Sequence, residues 1–118
     1  MSIPSQASRH YGYLDHMLEA IKLARSYVEG LSKVDFLADT RTQQAVILNI
    51  VIIGEAATQL VAECPDFAAQ HPEIPWKQMR GMRNRMAHGY FEIDLEIVCD
   101  TIQTSLPDLE CQLLSISG

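Results

Sequence analysis

Between residues 80 and 90 the chain reads Arg-Gly-Met-Arg-Asn-Arg-Met-Ala-His-Gly-Tyr, and these side chains suit one kind of chemistry. Arg80, Arg83 and Arg85 carry permanent charge on a planar fork of N–H donors that matches phosphate oxygens. His88 is the type of side chain that both accepts and gives up a proton near neutral pH. One arginine to hold a phosphodiester and one histidine to move its proton are the minimum equipment for cutting it without a metal. Lys77 lies just before the three arginines, so four of the nine Lys and Arg residues fall between positions 77 and 85. The plainer alternative is a surface pair at a helix end, where His88 merely complements the C-terminal dipole.

The elements that must position these residues all read at helical period. Leu14, Met17, Leu18, Ile21, Ala24, Val28 and Leu31 recur every three or four residues, which predicts a helix of about twenty residues from Tyr11, closed at Gly30. Ser32-Lys33-Val34-Asp35 has the form of a helix start and predicts a short turn. A second helix is expected from Thr40 to Ala62. Its centre, Ala45 to Ile53, is apolar nearly all round, which implies burial on more than one side or a subunit interface. Pro65, Pro72 and Pro75 punctuate a connection from Cys64 to Trp76.

Pro75 fits the first turn of a third helix, which turns Trp76, Met79, Met82 and Met86 inward and stops at Gly89. Asp94 can cap a fourth helix, which Pro107 breaks or kinks before the apolar repeat resumes at Leu109. The expected architecture is all-α: one domain over residues 1–118, an up-and-down bundle of four to five helices.

Composition narrows the function classes. The apolar run from Ala45 to Gly54 is too short to span a bilayer, and Met1 to Gln6 lacks the regions of a signal peptide. The expected setting is therefore cytoplasmic, with no membrane partner. Cys64, Cys99 and Cys111 are odd in number and widely spaced, and read as small buried hydrophobes. His10, His16, His71 and His88 never pair at i, i+4, so neither a metal nor another cofactor is expected. A net charge of −6 argues against a broad nucleic-acid footprint and requires the basic segment to be focused in a cleft.

The motif Arg83-x4-His88-x-Tyr90 resembles the signature of the HepT-like toxins of the HEPN superfamily. That pattern carries a polar residue after the arginine, here Asn84. Ile74-Pro75-Trp76 before the motif, Gly81-Met82-Arg83-Asn84-Arg85 at its opening and Asp94-Leu95-Glu96-Ile97-Val98 after it agree with the pattern, as do Thr42-Gln43-Gln44-Ala45-Val46 and Ile52-Ile53-Gly54-Glu55-Ala56-Ala57 upstream. The likeness runs from about Tyr13 to Leu114.

This resemblance implies a homodimeric, metal-independent endoribonuclease, the toxin of a pair whose antitoxin is a minimal nucleotidyltransferase. Arg83 and His88 would be catalytic, with Lys77, Arg80, Asn84 and Arg85 holding RNA, either tRNA or mRNA. Tyr90 would be the residue to which the antitoxin attaches AMP. The other reading is a non-catalytic helical subunit that lends its partner a nucleotide- or RNA-binding surface.

Geometry sets one condition. Residues five apart on an unbroken helix lie about 140° apart around its axis. Arg83 and His88 therefore meet only if the helix ends between them, near Gly89, or if two motifs face each other in a dimer. Glu55, beside an apolar stretch, is either a buried partner for Arg83 or Arg85 or a solvent-facing residue. Trp76 reads as a core anchor.

Overall fold

A computed structural model describes residues 6–117, with side-chain surroundings from Arg9 onward. Met1 to Ser5, on which most of the expectation about a signal peptide rests, lie outside the described residues. The elements are α1 (Gln6–Tyr27), α2 (Lys33–Leu37), α3 (Thr40–Glu63), α4 (Pro65–Gln70), α5 (Trp76–His88), a 3-10 turn (Tyr90–Glu92), α6 (Leu95–Asp100), a π-helical segment (Thr101–Ser105) and α7 (Leu106–Ile116). The fold is all-α, as the periodicity requires.

α3 is the axle of the bundle. It packs along α1 on one side and α5 on another, while α7 returns against α1. Leu14, Met17 and Ile21 of α1, Val46 and Leu60 of α3, and Leu113 of α7 are almost fully buried in one shared core. α3 has the length and apolarity to cross a membrane, yet half of that window is buried inside the bundle. Its all-round apolar centre serves two neighbours, and Leu48 and Ile52 remain exposed on the side that neither covers.

Local signals set the ends of the elements. Gly30 closes α1 at a φ of 80°, a region that a residue with a Cβ rarely adopts. Ser32 caps α2 through the Asp35 amide, and Asp39 caps α3 through the Thr42 amide at 3.1 Å and its hydroxyl at 2.6 Å. Those bonds from Thr42 hold the Asp39 carboxyl below its ordinary range. Gln43 is buried and donates to the carbonyls of Phe36 and Leu37, both at 3.0 Å, which ties α2 to α3.

The structure departs from the sequence reading in several places. α1 begins by Gln6 rather than Tyr11, and Pro65 opens a short helix inside the expected connection, where its missing N–H costs nothing. Pro75 sits just before α5 instead of in its first turn. The expected interruption at Pro107 takes the form of a π-helical segment: α6 gives way to it at Thr101, and Pro107 lies in the first turn of α7. Cys64 and Cys99 are buried as expected, whereas Cys111 is exposed. Trp76 anchors the loop between α4 and α5, donating from Nε1 to the carbonyls of Ala68 at 3.2 Å and His71 at 3.1 Å.

Candidate active site

α5 is a polar ridge on an apolar keel. Met79 and Met86 are buried beneath it, with Met82 packed beside them. At 100° per residue, Lys77, Arg80, Asn84 and His88 fall within about 80° of one another on the outer side. All four are exposed. Methionine suits the keel because its flexible thioether fills the uneven space under a helix that must keep its other face polar.

Arg83 lies off this ridge, toward α3. Gly54 of α3 is buried directly beneath it: a Cβ on Gly54 would overlap Arg83 Cβ and stand 2.6 Å from the Met79 carbonyl oxygen. Glycine at this one position lets the two helices approach closely enough to seat the arginine. The next residue along α3, Glu55, places Oε2 3.3 Å from Arg83 Nε. This is an ion pair, but its alignment falls short of a hydrogen bond, and the buried Nε has no other partner among the described residues. Arg83 is 21% exposed at its side chain and Glu55 51%. Glu55 thus joins the two earlier alternatives: it partners Arg83 and still faces solvent. Such an arrangement fixes the root of the guanidinium.

α5 runs unbroken to His88 and ends at Gly89, whose N–H returns to the Arg85 carbonyl at 2.9 Å. The expectation that the helix ends between Arg83 and His88 is therefore corrected. Gly89 stops the helix one residue too late to fold them together, and within one chain they point about 140° apart. Arg85 stands on the opposite flank from Arg83, toward α6.

Tyr90 follows in the 3-10 turn, 45% exposed, and its hydroxyl accepts from Gln44 Nε2 of α3 at 3.1 Å. Phe91 beside it is fully exposed and meets the Tyr90 ring edge-on. The sequence reading missed Gln44 and Gly54 as positioning residues. Both lie in segments already noted for resemblance, but only the antiparallel packing of α3 on α5 reveals what each one touches.

An all-α bundle that carries an exposed Arg-x4-His-x-Tyr segment at the end of one helix is a protein of the HEPN type. The sequence profile of the family described as Ribonuclease HepT-like matches residues 17–116, and the chain belongs to that family. It is 39% identical to "Probable ribonuclease HepT" of Thermococcus cleftensis over 101 residues, covering 86% of this chain and 89% of the relative. A protein of Caldanaerobacter subterraneus subsp. tengcongensis named as a "Putative RNase" is 36% identical over 104 residues, covering 88% and 90%. No solved structure matches the chain at a significant level. These relationships support a ribonuclease role and RNA as the substrate class.

Proposed function

We propose that the chain is the ribonuclease toxin of a toxin–antitoxin pair and cuts RNA without a metal, in a cleft shared by two copies. The observation that carries this reading is the divergence of Arg83 and His88 on one unbroken helix. A two-fold axis beside α5 brings the arginine of one copy toward the histidine of the other. Leu48 and Ile52, exposed on α3 beside the motif, are the apolar surface such a pairing would cover. Two ridges facing one another also double the local positive charge, which a chain of net charge −6 needs in order to hold RNA.

The chemistry then follows from the residue types. The ribose 2′-oxygen attacks the adjacent phosphorus, its proton passes to a base, and the bond from phosphorus to the 5′-oxygen breaks as that oxygen takes up a proton. His88 moves a proton, a role worth roughly 10²- to 10⁴-fold. Arg83 holds the phosphoryl oxygens and offsets the charge that builds on them. Lys77, Arg80, Asn84 and Arg85 lie where flanking RNA would pass. The products are a 2′,3′-cyclic phosphate and a 5′-hydroxyl.

Control acts through Tyr90. Its oxygen attacks the α-phosphorus of ATP held by a partner nucleotidyltransferase; pyrophosphate leaves and the phenolic proton is lost. Gln44 holds that oxygen at the surface, and the phosphate so added competes with RNA for the same basic groups. The test is purified protein with total RNA in EDTA, beside His88→Ala. Cutting by the wild type alone, with cyclic phosphate ends, supports the reading. RNA binding with no cutting overturns it in favour of a non-catalytic subunit.

A further inference from the structure

The flank of α5 turned away from Arg83 holds a cavity of about 250 Å³ that the reaction above leaves unused. Its walls are Met82 and Met86 of α5 with Ile93 and Ile97 from the α6 side, and Arg85, Glu92 and Asp94 stand around it. Apolar walls with a few converging polar groups are the usual make-up of a small-ligand site, and the volume lies just below the roughly 300–1,000 Å³ common for one. A volume of that size admits a single flat ring system. Methionine sulfur also favours the edges of aromatic rings.

The position of the cavity links it to the ridge. Arg85 lies three residues before His88, about 60° from it around the helix. An RNA strand whose scissile phosphate meets His88 therefore carries a neighbouring base past the cavity mouth. The acidic groups then limit which base is welcome, because ionised carboxylates only accept hydrogen bonds. Asp94 commits Oδ1 to the amides of Glu96 at 3.0 Å and Ile97 at 3.4 Å, which leaves Oδ2 outside the cap. Glu92 is exposed on the 3-10 turn.

Guanine offers two adjacent donors, its ring N–H and its exocyclic amine, to such a pair. Adenine and cytosine set an amine beside an acceptor nitrogen, and uracil flanks its N–H with two carbonyls that a carboxylate repels. Arg85 offsets the acidic rim and can hold the phosphate attached to the base. We infer that this cavity is a nucleobase subsite beside the cleavage point, selective for guanine. The inference rests on the ribonuclease reading.

The experiment maps cut sites on a long RNA of random sequence by sequencing the ends, for the wild type, Glu92→Ala and Ile97→Trp. Glu92 is exposed and Ile97 is about half exposed, so neither change threatens the core. The expected result is guanine enriched at one fixed position beside the wild-type cuts. Glu92→Ala should reduce that preference roughly tenfold, the scale of one good base-edge contact. Ile97→Trp fills the cavity and should erase it, while cuts at other bases continue. No cutting by the wild type overturns the ribonuclease reading and the subsite with it. Cutting without guanine enrichment, or an enrichment that survives both substitutions, overturns the subsite alone.

Discussion

Arg83 and Arg85 are two residues apart on one helix and live in different surroundings. Arg83 stands over Gly54, paired with Glu55, its Nε buried. Arg85 is exposed and borders an open cavity. Two positions turn a residue about 160° around the axis. Identical side chains thus acquire different surroundings from register alone: one is seated by packing against Gly54 and Glu55, and the other stays exposed at the cavity rim. A basic cluster in a sequence is for this reason not a set of equivalent charges.

Removing the side chains themselves should have the greatest consequence. Arg83→Ala and His88→Ala should each lower cleavage by about 10²-fold or more, with helicity unchanged by circular dichroism. Arg83→Lys should also fail, since an ammonium cannot reproduce a planar two-point grip. Arg85→Ala should cost far less, read as kcat/KM on one RNA. Equal losses at Arg83 and Arg85 would contradict the assignment.

Gly54→Ala sharpens the same contrast from beneath. The added methyl overlaps Arg83 Cβ and crowds the Met79 carbonyl, so α5 must shift off α3. Overpacking of this kind costs about 1–3 kcal/mol, measurable by urea unfolding, and cleavage should fall further than stability does. Glu55→Gln is gentler. With Glu55 about half exposed, its pair with Arg83 contributes at most about 1 kcal/mol, and cleavage should drop only a few-fold as the guanidinium loosens.

The smallest effect is expected outside the basic ridge. His10 is buried, stacked on Phe67 with ring centroids 3.8 Å apart, and its Nε2 lacks a hydrogen-bond partner among the described residues. Burial first, then the charge of His71, holds its pKa below the ordinary value. The unfolded chain therefore takes up this proton more readily than the fold does. The stabilisation is complete above about pH 6.5 and is lost as pH falls toward the lower folded value. His10→Phe should flatten thermal stability across that window without changing cleavage.

Much of this fold follows from local signals in the sequence. The helical period of α1 and α3, the stop at Gly30, the cap at Asp94 and the methionine keel of α5 are local signals that the structure repeats. What stays hidden depends on contacts between distant segments. Nothing local says that Gly54 faces Arg83, that Gln44 reaches Tyr90, or that a π-helical turn will carry the chain past Pro107. The sequence poses the condition at Gly89 but leaves its outcome open, since one residue in the helix end decides whether Arg83 and His88 converge or diverge.

The proposed pairing of Arg83 from one copy with His88 from the other is tested most directly by mixing inactive subunits. Arg83→Ala and His88→Ala proteins are unfolded together, refolded in equal amounts and assayed on RNA. If each site takes its arginine and histidine from different copies, every mixed dimer regains one intact site. Random pairing in a two-fold dimer then restores roughly a quarter of wild-type activity. If both residues serve the same site from the same chain, the mixture stays as inactive as its components, and the shared cleft is wrong.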